Sequence, residues 1–461
     1  MLLPTAVSFA YQEAAAWRLL ASGAISGAAG IALARATGPA GDISIREGFA
    51  IVTLGWIGVA LAGTLPYLLT GSITSFTDAF FESMSGLTTT GATIVEDIGA
   101  LPRGVVLWRS LTQWIGGMGI IVLSVAILPL LGVGGMQLLS AEIPGLAPDR
   151  LRPRVRQTAS LLWGVYALLT MAEAALLWAG QMSLFEAINH AFTTMATGGF
   201  STEDGSIGAF ESPFVQYVVA FFILLAGINF TLHYSVLAGR WEAVRRNREL
   251  RVYLWLVASA TVALTALVGF TGTIEGFEPA FRAGLFQAVS IMTTTGYATA
   301  DYEVWVPAAQ TLLFLLMLVG GCTGSTAGSV KVLRHMLVAK EARISLRKLL
   351  HPRGVFVYKM DGQTISADVL ANVSGFLILY LGFLGGGTLI LNLLGLDVTT
   401  AAGAAAATLG NIGPGFGAVG PAETYASLPA GALWVLGALM LLGRLELFTV
   451  LILFTRGYWL R

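Results

Sequence analysis

Apolar residues fall along this chain in blocks of two lengths, punctuated by polar residues in a regular order. Long blocks lie at about 17–36, 48–70, 104–131, 156–180, 213–238, 252–271, 306–338, 366–394 and 430–455. Each is near or above the roughly 20 residues that cross a bilayer as a helix. Between alternate pairs sit shorter apolar segments, 76–88, 184–195, 280–292 and 398–409. At roughly 12 residues these are too short to span and suit re-entrant helices. The pattern predicts one leading helix and then four units of long helix, short helix, polar turn and long helix.

Each short segment ends in small and hydroxyl residues with a glycine. The turns read GLTTTGAT at 86–93, TTMATGGF at 193–200, MTTTGY at 292–297 and TLGNIGP at 408–414. The glycines Gly91, Gly198, Gly296 and Gly413 are spaced by 107, 98 and 117 residues, a fourfold repeat with a period near one hundred. A single TTTG is most often a turn or helix cap. Four at matching places in matching units are harder to dismiss.

Composition fixes the environment. Hydrophobic residues make up 56% of the chain and charged residues 11%, against about 25% charged in soluble proteins. This is an all-α polytopic membrane protein. One cysteine, Cys322, excludes an intrachain disulfide, and four scattered histidines suggest no metal cluster. No cleavable signal peptide stands out, and the net charge of zero names no partner. The loops 71–102, 181–212, 272–305 and 395–429 hold fourteen acidic residues and one basic residue, Arg282. The opposite loops carry Arg150, Arg152, Arg154 and Arg156, then Arg240, Arg245, Arg246, Arg248 and Arg251, then eight basic residues within 331–359. The positive-inside rule sets these facing the cytoplasm, so the short segments dip in from outside. The acidic outer loops would concentrate cations at that mouth.

Irregular backbone at membrane depth is tolerated only where protein buries it or where it lines a water-filled cavity. Four such turns can meet on one axis. Glycine lets carbonyls turn toward that axis, threonine adds oxygens, and the C-terminal helix ends aim partial negative charge at the same point. Rings of carbonyls that replace a hydration shell are how cation filters work. The pattern therefore predicts four pseudo-symmetric repeats of helix, pore helix, filter loop and helix around a central cation pore, plus the N-terminal extra helix. The expected units are 1–47, 48–150, 151–248, 249–359 and 360–461.

The seventh long segment carries Gly320, Gly321, Gly324 and Gly328 among Thr323, Ser325 and Thr326. Each glycine costs a helix interior about 1 kcal/mol relative to alanine, so this stretch should unwind and line the water path. Tight small-residue helix packing is the other reading. Asn229 and His233 suit interhelical hydrogen bonds, Glu173 should reach the outer interface, and Trp108, Trp114, Trp163 and Trp178 suit interface belts. Arg18, Arg103, Arg109 and Arg282 are placed to reach the outer side, which leaves Arg444 alone at mid-membrane. A charge there costs at least about 2.5–3.5 kcal/mol, so Arg444 should face water or pair with another helix.

The stretches DAFFESMSGLTTTGAT (78–93), WRSLTQWIGGMGIIVLSVAILPLLGVGGMQL (108–138), AEIPG (141–145), FTTMATGGFST (192–202), GGCTGSTAGSVKV (320–332), LGNIGPGFG (409–417) and GRLELFTVLILFT (443–455) resemble the Trk-type potassium uptake subunits of the Trk/Ktr/HKT superfamily. The resemblance runs from about residue 45 to the end. It implies uptake of K⁺ through a gated, channel-like pore in the cell (inner) membrane, a homodimer, and a cytoplasmic nucleotide-binding regulatory ring, with no bound cofactor and no enzymatic activity. It implies a filter of Thr89, Thr90 and Gly91; Ala196, Thr197 and Gly198; Thr294, Thr295 and Gly296; and Asn411, Ile412 and Gly413. Relatives with serine at the first filter glycine tend to conduct Na⁺, so Gly91 favours K⁺. It implies a gate formed by Gly320, Gly321, Cys322, Thr323, Gly324, Ser325, Thr326, Ala327 and Gly328, with the basic segment 331–359 as the handle for the cytoplasmic partner. It also supports Arg444 pointing into the pore below the filter. Similar proteins carry two extra N-terminal helices where only the second is read here, which predicts a missing earlier helix. A potassium–proton or potassium–sodium symporter with alternating access is the competing function.

Overall fold

The computed structural model describes residues 1–37, 44–126, 151–354, 356, 359–360 and 363–460. The AEIPG stretch, residues 127–138 and Arg150 lie outside these. The described chain is helical throughout, apart from loops and a two-residue hairpin in which Lys359–Met360 pairs antiparallel with Gln363–Thr364.

A short helix, Leu2–Ala10, precedes the expected leading helix, Ala15–Thr37. Glu13 between them accepts the N–H groups of Arg103 (2.5 Å) and Gly104 (3.2 Å), fixing the N-terminal pair to the first turn of helix Arg103–Ala126. A carboxylate there satisfies orphan donors and opposes the helix dipole favourably. Among the described residues, six helices are long and apolar enough to cross a membrane, and two further bent pairs qualify if each pair is one span. This is a multi-pass membrane protein.

The four short helices are Phe76–Leu87, Leu184–Met195, Phe277–Met292 and Val398–Leu409. Three start on a capping side chain written in the sequence. Ser75 accepts from the Asp78 N–H, Ser183 forms a capping box with Glu186, and Asp397 accepts from the Thr399 and Thr400 N–H groups. These helices form the centre of the molecule, with every residue from Ala79 to Leu87 buried. The long helices surround them and turn apolar side chains outward, as at Val262, Phe270 and Ile378. Close approach uses small residues, as membrane packing requires. The Ser83 hydroxyl donates to the Ala60 carbonyl at 2.7 Å, and a side chain on Gly63 would collide with it.

The return helices depart from the sequence expectation. The blocks at 213–238 and 430–455 are not continuous. Pro213–Ala226 and Phe230–Leu237 meet at 101°, and Ala430–Arg444 and Leu447–Phe454 meet at 112°. The first break follows from Asn229, whose side chain accepts the Thr231 N–H and starts a new helix. The second follows from Glu446, at φ 65°. The third return helix stops at Met317 and resumes at Val332, and the glycine-rich segment between them is coil.

Candidate functional site

All four short helices end toward one ring, in one conformation. The capping residues are Thr88, Ala196, Thr293 and Gly410. The next residue in each repeat adopts left-handed backbone: Thr89 (φ 52°), Thr197 (52°), Thr294 (59°) and Asn411 (54°). Non-glycine residues rarely do so, and such strain persists only where the surroundings enforce it. The following N–H groups, of Thr90, Gly198, Thr295 and Ile412, bond the carbonyls of Ser85, Thr193, Ser290 and Ala407 at 2.7–2.8 Å. Next comes a left-handed glycine: Gly91 (83°), Gly199 (79°), Gly296 (80°) and Gly413 (103°).

This conformation corrects the register of the second repeat. The sequence frame set Ala196, Thr197 and Gly198 beside Thr89, Thr90 and Gly91. The structural equivalents are Thr197, Gly198 and Gly199, and Ala196 is the helix cap. Two adjacent glycines make either frame possible in sequence. The helix runs one residue further and selects Gly199 for the left-handed position.

The ring closes on itself. A side-chain carbon on Gly91 would overlap the Gly198 carbonyl oxygen, one on Gly199 the Thr295 oxygen, one on Gly296 the Ile412 oxygen, and one on Gly413 the Thr90 oxygen. Each glycine thus lets a carbonyl of the next repeat approach, and the fourth repeat returns to the first. Asn411 Nδ2 also donates to Thr90 Oγ1 at 3.0 Å.

The residue seven positions before each left-handed threonine braces the strand that leaves the ring. Glu82 accepts from the Thr93 hydroxyl (3.0 Å) and the Ile94 N–H (3.0 Å), and pairs with buried Arg109 at 2.8 Å. His190 reaches Ser201 Oγ at 3.1 Å, and Gln287 donates to the Ala300 carbonyl at 3.4 Å. The fourth repeat has Ala404 there, so the brace is absent from that helix position.

Below the ring, the coil of residues 318–331 is buried from Gly320 to Lys331 except at Thr323 and Gly324. Gly328 donates its N–H to Thr294 Oγ1 at 2.6 Å, against the ring itself. The Thr326 hydroxyl donates to the Met195 (3.1 Å) and Ala226 (3.3 Å) carbonyls. The Cys322 N–H reaches the Gly227 carbonyl, and the Phe230 N–H reaches the Gly324 carbonyl. Glu249 Oε1 accepts from both the Thr323 N–H (2.6 Å) and the Leu333 N–H (3.2 Å), pinning both edges of the coil. Arg444 donates to the Thr326 carbonyl at 2.7 Å and the Gly116 carbonyl at 3.4 Å. Lys331 Nζ donates to the Ala327 carbonyl at 2.9 Å. Residues 322–328 of the expected gate therefore belong to one network, with Arg444 bonded to carbonyls. Glu446 bonds Arg334 at 2.5 Å instead.

Several placements differ from the sequence expectation. Arg444 is not the only buried basic residue among the described residues: Arg109 and Arg334 on helices and Lys331 at the end of the coil are buried too. Glu173 is fully buried instead of reaching the outer interface. Asn229 caps its own helix instead of making the expected interhelical bond, whereas His233 bonds the Leu225 carbonyl of the helix before the bend. Trp108 is buried and donates to the Gly63 carbonyl at 3.3 Å. Arg109 and Lys331 read as loop or helix-end charges because their partners lie 27 and 4 residues away, on a short helix and in a coil.

On the side opposite the coil, a cavity opens above the ring. It is lined by Gly91, Gly199, Gly296 and Gly413 together with Glu96, Glu203 and Glu423. Partial burial, with Glu186 and Asp204 nearby, pushes the Glu203 carboxyl above its ordinary range.

A family model described as TrkH, cation transport protein, matches residues 20–458. The Trk system potassium uptake protein TrkH of Salmonella typhimurium is 41% identical over 422 residues, which cover 91% of this chain and 87% of that protein. Its counterpart in Escherichia coli K12 is 40% identical over the same shares. The crystal structure of the potassium transporter TrkH from Vibrio parahaemolyticus superimposes with a TM-score of 0.91 at 36% identity, covering all of this chain and 96% of that one. The relatives are named as transporters and not as enzymes. The chain belongs to the TrkH family of cation transport proteins.

Proposed function

We propose that this protein takes up K⁺ across the cell membrane through a gated, channel-like pore. The closed ring of four left-handed turns carries the reading, because it brings backbone oxygens of four repeats into one circuit. The filter then comprises Thr89, Thr90 and Gly91; Thr197, Gly198 and Gly199; Thr294, Thr295 and Gly296; and Asn411, Ile412 and Gly413. Ordered carbonyls at this spacing replace hydration water of a cation. The coil from Gly320 to Gly328 obstructs the path below. The basic loops face the cytoplasm and the acidic loops face outward. By resemblance, the chain works as a homodimer with a cytoplasmic nucleotide-binding ring. Purified protein in liposomes tests the reading: K⁺ and Rb⁺ flux should exceed Na⁺ flux, and a bilayer should show unitary currents. The sharp bends in two return helices keep a carrier in view, since broken helices mark many alternating-access sites. Flux without unitary currents would favour that carrier.

The buried guanidinium of Arg444 holds the coil by its Thr326 carbonyl. Hydrogen bonds from charged groups contribute about 1.5–3 kcal/mol. Arg444→Ala is therefore expected to raise K⁺ flux about tenfold or more, with the Na⁺/K⁺ flux ratio unchanged. A normally inserted variant that loses flux would make Arg444 a structural support.

At the outer mouth, Glu203 contributes field rather than ligation. Two unit charges about 8 Å apart in water interact by ~0.5 kcal/mol. Glu203→Gln should raise the apparent KM for K⁺ about twofold at low ionic strength and less at high salt. Because the carboxyl titrates above its ordinary range, lowering the external pH should act in the same direction, and the variant should respond less. Initial uptake rates at several salt concentrations and pH values check both.

A further inference from the structure

The ring has fourfold closure but not fourfold chemistry. Of its four facing carbonyls, those of Thr90, Gly198, Thr295 and Ile412, only one receives a side-chain donor among the described residues. Gln113, fully buried on helix Arg103–Ala126, donates Nε2–H to the Gly198 oxygen at 2.6 Å. Its own Oε1 accepts the Phe200 N–H at 3.1 Å. The amide is therefore used at both ends and spans the second turn from the middle residue to the strand leaving it. Arg109, one turn earlier on the same helix, lies over the Phe200 ring at 4.2 Å and limits movement of that strand. A side-chain carbon on Gly198 would overlap Gln113, so this contact explains why Gly198 is glycine although its backbone is not left-handed.

We propose that Gln113 is a specificity-determining residue of the filter, making the Gly198 carbonyl a weaker and less mobile cation ligand than its three counterparts. The inference rests on the filter reading given above. A carbonyl oxygen that accepts a strong hydrogen bond has less electron density to offer a cation. Held at 2.6 Å, it also follows a small ion less readily. Field strength and ligand freedom both favour the smaller ion, whose stronger hydration demands more compensation. Freeing the Gly198 carbonyl should therefore favour Na⁺ relative to K⁺.

The test substitutes Gln113→Met, which keeps side-chain length and removes both hydrogen-bonding groups. Fluxes of Na⁺, K⁺ and Rb⁺ are measured in liposomes beside Gly296→Ser, a ring glycine that Gln113 does not touch. Q113M should raise the Na⁺/K⁺ flux ratio about three- to tenfold, the factor one hydrogen bond of ordinary net strength supplies. Should Q113M not assemble, Gln113→Leu, which also removes the donor and adds no charge, carries the same test. An unchanged ratio in the Gln113 variant while G296S shifts it overturns the role of Gln113 and leaves the filter standing. Unchanged ratios in both overturn the filter reading and the inference with it. A fall in maximal flux at a constant ratio makes Gln113 a packing residue and also overturns the proposal.

Discussion

Replacing Gly91 by serine should lower discrimination between K⁺ and Na⁺ by about tenfold or more. Two effects add at this position. Left-handed backbone at φ 83° strains any residue with a side chain, by about 1–3 kcal/mol. The new side chain would also begin inside the space now held by the Gly198 carbonyl oxygen. That oxygen has no room behind it, since Gln113 Nε2 already lies 2.6 Å away. The first and second repeats must separate, and the ring widens on one side. Each 1.4 kcal/mol lost from the preferred ion corresponds to a factor of ten. The Na⁺/K⁺ flux ratio in liposomes reads the effect directly. A well-folded variant with an unchanged ratio would remove Gly91 from the filter.

Deleting Gly321 to Ser325 should open the pore about a hundredfold. The deletion shortens the coil from fourteen residues, 318–331, to nine. Nine extended residues still span roughly 30 Å, so the chain remains able to join its two helices. Three anchors disappear: the Cys322 N–H on the Gly227 carbonyl, the Thr323 N–H on Glu249, and the Gly324 carbonyl under the Phe230 N–H. At about 1 kcal/mol each, their loss shifts the closed-to-open balance by ~3 kcal/mol, or roughly two factors of ten. The shortened segment also pulls Gly328 away from Thr294 in the ring and Thr326 away from the Met195 carbonyl. Passive Rb⁺ flux without any partner protein is the measurement. A deletion variant that inserts properly and conducts no more than the parent would show that the barrier lies elsewhere.

Much of this architecture was legible in the sequence because membrane helices announce themselves by length and composition. The four short helices and the positions of their glycine turns could be placed from local pattern. The register of the second turn could not, because TGG offers two glycines and only the helix end decides between them. The bends at Asn229 and Glu446 were hidden in continuous apolar runs. Hydropathy averages over a window and does not register a single residue that caps a new helix or enters left-handed backbone. The buried pair of Arg109 and Glu82 was missed for a related reason. Arg109 sits near the start of an apolar segment, where a charge ordinarily meets water, Glu82 lies midway along a short helix, and only tertiary packing makes them partners.

The contact that closes the ring joins residues 321 positions apart, Thr90 and Asn411. At ribosomal rates of about 5–20 residues per second, the first turn waits roughly 15–65 s for its last neighbour. During that interval the earlier helices are already in the bilayer, and Thr89 has no fourth wall to hold its left-handed backbone. The Tyr425 N–H, which bonds the Thr93 carbonyl at 2.8 Å, arrives later still. Biogenesis thus ends with the step that completes the conduit. A nascent chain released before its fourth turn, at Asn411, would leave a membrane protein with most of its spans and no finished ring.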